Sequence, residues 1–164
     1  MRILGIDPGL QLTGYGLVEA AGPRVAVISS GVIRTDLRQA FSTRLHELHT
    51  RISEVLARGR PGAVALEDVF VHTAFPRTAI TMGHVCGVIF LAAAQSGVPV
   101  DTIPPAAIKS AIAASGRATK GQVQHMVRVL LGLAEDPGAH VGDALALAVV
   151  ALSRRGMPGR RPPA

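Results

Sequence analysis

The chain has 164 residues, enough for one domain with a full core, and 48% of them are hydrophobic, which excludes a disordered protein. Cys86 stands alone, which excludes a disulfide framework, and no uninterrupted apolar run reaches the ~18 residues of a membrane span. The net charge of +6 rests on 15 arginines and two lysines and points to a polyanionic partner, nucleic acid above all. Arg154, Arg155, Arg160 and Arg161 supply four of those charges from the C-terminal end, so the rest of the chain is only mildly basic. The opening MRILGIDPGL has no apolar signal core and no small-residue cleavage site. A soluble, cytoplasmic protein is the expectation.

Residues 2–6 form a short apolar run that ends at the turn signal Asp7-Pro8-Gly9 and predict a first strand. Residues 13–19 alternate around Gly14 and Gly16, and Ala21-Gly22-Pro23 marks a turn. Residues 25–33, rich in Val and Ile, suit a third strand, and the short connections favour an antiparallel meander. The period then changes. Leu45, Leu48, Ile52, Val55 and Leu56 recur at helical spacing over residues 42–58, and Gly59-Arg60-Pro61-Gly62 stops that helix. Residues 63–66 read as a buried strand ending at Glu67.

Residues 73–95 predict a second helix, and their small side chains at Gly83, Gly87, Ala92 and Ala93 permit close packing within the domain or across a dimer. Its apolar stretch 85–94 reads as buried. A strand over 98–103 leads into Pro104-Pro105, which suits the start of a helix. Residues 114–121 read as a loop, 122–133 as a helix and 141–153 as a last helix. Residues 154–164, composed of Pro, Gly and Arg with almost nothing apolar, are expected to be a flexible basic tail after a domain spanning 1–153. The order of elements gives an α/β fold, a mixed sheet flanked by helices.

Of the 11 carboxylates, three lie at the ends of apolar elements: Asp7 after Ile3-Leu4-Gly5-Ile6, Glu67 after Ala63-Val64-Ala65-Leu66, and Asp143 before Ala144-Leu145-Ala146. A carboxylate in such a place is costly unless it is paired or bound to a cation, and a divalent metal would remove the repulsion among three of them. Hard oxygen donors favour Mg²⁺ or Mn²⁺. Taken singly, Asp7 could be a turn residue, Asp143 a first-turn acid at a helix dipole, and Glu67 half of a strand-end ion pair.

Context makes the set specific. Gly5-Ile6-Asp7-Pro8-Gly9 with Thr13-Gly14-Tyr15-Gly16, then Ala65-Leu66-Glu67-Asp68-Val69-Phe70, then Lys120-Gly121-Gln122-Val123-Gln124-His125-Met126-Val127, then Gly142-Asp143-Ala144-Leu145-Ala146 resemble the RuvC family of Holliday junction resolvases, in order and over nearly the whole chain. The resemblance implies an RNase H-like fold with a five-stranded mixed sheet flanked by helices. It also implies a homodimer whose two sites nick opposing strands of a four-way DNA junction symmetrically during recombination and repair. Two Mg²⁺ or Mn²⁺ ions per active site are implied, with Asp7, Glu67 and Asp143 as ligands and Asp7 bridging. Where many relatives carry a fourth acid, this chain has His140, one helical turn before Asp143. As a softer donor it suits Mn²⁺ better than Mg²⁺.

The resemblance further implies that Lys120 acts at the scissile phosphate, and that Lys109, Arg117 and Thr119 contact the DNA near the 114–121 loop. Phe70 would stack on an unpaired base, with Arg77 and His72 as looser candidates on the same stretch. Implied partners are four-way junction DNA, a junction-binding protein and its hexameric branch-migration motor, with no membrane. Alternatives are another RNase H-like resolvase of the YqgF type, a non-enzymatic junction-binding protein, and a sugar-kinase-like ATPase, for whose second lobe 164 residues leave no room.

Overall fold

The computed structural model describes residues 1–68, 76–113 and 116–156. Five strands form one sheet in the order β3-β2-β1-β4-β5. They are β1 (Arg2–Asp7), β2 (Leu12–Ala21), β3 (Arg24–Arg34), β4 (Ala63–Glu67) and β5 (Val100–Ile103). The first three make the expected antiparallel meander, while β4 pairs parallel to β1, and β5 parallel to β4. The helices are α1 (Phe41–Gly59), α2 (Pro76–Gln95), α3 (Pro105–Ala113), α4 (Lys120–Leu131) and α5 (Ala139–Arg154).

Strand alternation decides which side chains meet which helices. Leu4, Ile6, Leu17, Val64 and Leu66 face one side and pack with Leu48, Ile52 and Leu56 of α1 and Val85, Ile89 and Ala92 of α2. Ile3, Val18, Ala63 and Ala65 face the other side and pack with Leu145, Leu147 and Ala148 of α5, closed further by α3 and α4. Asp7 shares parity with Ile3, and Glu67 shares parity with Ala63 and Ala65. Both strand-end acids therefore belong to the α5 face.

α5 is apolar around nearly its whole circumference and lies over the centre of the sheet, as a helix without a polar face must. It starts at Ala139, after Gly138 at φ +79°, so Asp143 sits in its second turn rather than opening it. α4 likewise begins earlier than its apolar pattern suggests. Thr119 caps it, its hydroxyl accepting from the Gln122 N–H while the Gln122 side chain accepts from the Thr119 N–H, and Lys120 becomes the first helical residue. Lys109 lies within α3, which runs from Pro105 to Ala113 as the prolines and the expected loop from residue 114 imply.

α2 departs from the expected buried helix. Val85, Cys86, Ile89, Ala92 and Ala93 are buried, yet Ile80 is 61% and Leu91 51% exposed, and Phe90 is exposed as well. By length and composition Arg77–Gln95 is apolar enough to cross a membrane, at mean hydropathy 1.5, which runs against the expectation from the uninterrupted runs. Its packed side nevertheless belongs to the α1–sheet core. At the chain's far end α5 runs to Arg154, and Arg155 grips Asp101 of β5 through two guanidinium bonds of 2.6 and 2.7 Å. The expected tail thus begins as ordered structure, and residues 157–164 lie outside the described set.

Candidate active site

Asp7 ends β1, Glu67 ends the neighbouring parallel strand β4, and α5 crosses the same sheet edge with His140 and Asp143 one turn apart. α4 brings Lys120 from the side. The His140 Nδ1 stands 2.7 Å from Asp7 Oδ2, and the Lys120 Nζ stands 2.5 Å from Asp143 Oδ2. Asp7 is well enclosed, its side chain 16% exposed, whereas Lys120 reaches outward at 63%.

The electrostatics follow from that enclosure. Burial pushes the Asp7 carboxyl above its ordinary range, the His140 hydrogen bond pulls it back, and the Asp143 charge pushes it up again. Glu67 is raised by burial first and then by Asp7 and Asp143, with Lys120 and Lys109 opposing. Lys120 is raised chiefly by its bond to Asp143, with Asp7 and Glu67 adding to it. The three acids and the lysine therefore act on one another as a single charged cluster.

Beside the acids opens a cavity of about 320 Å³. Glu67, Asp143, Lys109 and Lys120 provide its charged wall, and Ile108, Val123 and Leu147 its apolar one. Among the described residues no three His, Cys, Asp or Glu side chains form a ready-made metal cage. Asp7 is engaged with His140, and Asp143 with the ammonium of Lys120. The donor set still fits a divalent cation. It offers hard carboxylate oxygens, of which those of Asp7 and Glu67 have their proton affinity raised by burial and then by neighbouring negative charge, and it already holds one positive charge among them.

Over residues 3–151 the chain matches the family model described as crossover junction endodeoxyribonuclease RuvC. The chain belongs to the RuvC family. The RuvC of Pelotomaculum thermopropionicum is 46% identical over 150 residues, covering 91% of each chain. The solved structure of Thermus thermophilus RuvC in complex with a Holliday junction substrate superposes with a TM-score of 0.88 at 37% identity, covering 94% of this chain and 95% of that one. The yeast mitochondrial Holliday junction resolvase, at 14% identity and a TM-score of 0.65 over 90% of this chain and 76% of its own, shares the fold. The RNase H-like architecture expected from the RuvC resemblance is thus present.

The structure brings together Asp7, Glu67, His140, Asp143 and Lys120, with Lys109 on the adjoining wall. Arg117 is exposed just before α4, and Arg77 is exposed at the start of α2. Thr119 has a role that the RuvC resemblance did not suggest, as the cap that orients Lys120; its Thr-x-x-Gln spacing is the signal that would have revealed it. Phe70 and His72 lie outside the described residues.

Proposed function

We propose that this RuvC-family chain is a structure-selective endonuclease that resolves four-way DNA junctions by metal-dependent hydrolysis of two opposing strands. The observation that carries the reading is the convergence of Asp7, Glu67 and Asp143 around Lys120 at one sheet edge. Two Mg²⁺ or Mn²⁺ ions held by Asp7, Glu67, Asp143 and His140 would supply water activation and stabilisation of the leaving 3′ oxygen. Asp7, at the end of β1 beside α5, would serve both ions. His140 already addresses Asp7 through Nδ1, so it supports the ligand cluster whether it binds an ion itself or holds the carboxylate in place.

Lys120 has a long exposed reach from a capped helix start, which suits it to exchange Asp143 for a phosphate oxygen of the bound strand. Lys109, Arg117, Thr119, Arg77 and Phe70 are the further DNA contacts of this reading. The two symmetric cuts require two copies, and the bare face of α2 is the surface for the pairing. Around Gly83 and Gly87 a groove lined by Leu45, Ile80, His84 and Leu91 is almost wholly apolar, and among the described residues nothing beyond the helix's own adjoining backbone comes within 4 Å of where a Cβ would stand on either glycine. Acting on chromosomal DNA, the enzyme would work in the cytoplasm with a junction-binding protein and a hexameric branch-migration motor.

Asp7→Asn is the direct test. The variant is expected to lose strand cleavage by about 10³-fold or more, as removal of several kcal/mol of metal-borne stabilisation implies. Its affinity for a synthetic four-way junction should be unchanged. Weakened junction binding with cleavage only mildly reduced would contradict the assignment.

A further inference from the structure

Gly14 is the cross-strand partner of Asp7, on the strand face that α5 covers. A Cβ built on it would lie 2.1 Å from the carbonyl oxygen of His140, 2.5 Å from its carbonyl carbon and 2.9 Å from its Cβ. Gly14 is not among the glycines with positive φ, so its backbone does not demand glycine. A strand would ordinarily be stronger with a side chain there. Space is the only reason for glycine at this position, and the atoms that claim the space are the backbone of the residue whose imidazole touches Asp7.

Gly16, two residues along the same face, offers a contrast. A Cβ on it would meet the Leu145 side chain first, Cδ2 at 2.6 Å and Cγ at 2.8 Å, with the helix backbone no nearer than the Leu145 Cα at 3.3 Å. At Gly14 the obstacle is helix backbone, which moves only with its turn. Contacts below 3.0 Å are essentially never adopted, so any side chain at position 14 drives the first turn of α5 outward by about 1 Å. That turn carries His140, 2.7 Å from Asp7, and the next turn carries Asp143.

We propose that Gly14 is a positioning residue of the metal centre: its missing side chain sets the separation between Asp7 on β1 and the His140–Asp143 turn of α5. The inference rests on reading Asp7, Glu67, His140 and Asp143 as metal ligands. Gly14 touches no substrate and no ion; it acts through the seating of α5.

The test compares Gly14→Ala and Gly16→Ala with the unaltered protein in Mn²⁺ affinity by electron paramagnetic resonance, junction affinity, cleavage rate and melting temperature. Both variants are expected to melt lower. Only Gly14→Ala should lose Mn²⁺ affinity, by about tenfold or more, and cleavage rate at saturating junction, by about 10²-fold, the cost of a ~1 Å misplacement. Its junction affinity should be unchanged. Mn²⁺ binding by Gly14→Ala equal to the unaltered protein, or reduced no more than in Gly16→Ala, overturns the proposal. So does a Gly14→Ala chain that fails to fold even with excess Mn²⁺, since the glycine then serves the fold rather than the site. Failure of the unaltered protein to bind Mn²⁺ is a separate result, which removes the metal-centre reading and this inference with it.

Discussion

On one face of the sheet α5 lies with nearly every side buried, resting on Gly5, Gly14 and Gly16 and closed in by α3 and α4. On the other face α2 packs through Val85, Ile89 and Ala92 but leaves Ile80, Phe90 and Leu91 uncovered. Both helices are rich in small and apolar residues, and composition alone does not separate them. The difference lies in what the glycines meet. Those under α5 are filled to below contact distance by helix atoms, whereas among the described residues nothing beyond α2's own backbone approaches Gly83 and Gly87. One helix is covered by its own chain and carries His140 and Asp143; the other keeps an uncovered apolar face, the surface proposed above for a second copy.

This contrast can be broken at the open face first. Leu91→Glu would place an unpaired carboxylate in the apolar groove of α2, and self-association is expected to weaken by about 10²-fold or more, since such a desolvation costs several kcal/mol. Sedimentation should show monomers with a nearly unchanged melting temperature and Mn²⁺ affinity. A large fall in melting temperature would mean that Leu91 supports the fold itself, and the two faces would be alike. His140→Ala acts on the sealed face. Loss of a residue that supports a metal-binding carboxylate should lower metal affinity or cleavage by about 10- to 100-fold, unequally for Mn²⁺ and Mg²⁺, with self-association untouched. Unchanged activity with both ions would remove His140 from the centre.

The smallest effect concerns protons. Burial raises the carboxyls of Asp7 and Glu67 above their ordinary values of 3.8 and 4.5, so the metal-free native state holds protons that the unfolded chain has released. Stability from this source is complete below the ordinary carboxylate range and is lost as pH rises through the raised values. Asp7→Asn removes one of these two ionisations. Its melting temperature, relative to the unaltered metal-free protein, should therefore climb by a few degrees between acid and neutral pH, where one kcal/mol corresponds to about 2–4 °C. A difference that stays constant with pH would show that Asp7 ionises in the native state as freely as in the unfolded one.

Much of this was legible in the amino-acid sequence, for definite reasons. Asp7 and Glu67 follow runs in which strand parity is fixed by the core, so their common face could be anticipated once both strands were identified. The meander followed from short turns. The extent of α3 was legible from the two prolines that open it and the loop expected from residue 114. The start of α5 was hidden because Gly138, at a positive φ, precedes the helix before its apolar pattern begins. The exposure of α2 was illegible for a deeper reason: a helix face buried by the same chain and one left exposed are written in the same small and apolar residues. Gly14 signalled a close approach, but only the fold could say that the approaching backbone was His140.

The central claim is that the carboxylate cluster serves junction cleavage, and one assay addresses it most directly. A synthetic four-way junction and a linear duplex of the same sequence are incubated with the protein in Mg²⁺, in Mn²⁺ and without divalent metal. The account predicts paired nicks in opposing strands of the junction with either ion, little cutting of the duplex, and none of either substrate without metal. Equal cutting of junction and duplex, or cutting that survives removal of the metal, would contradict it.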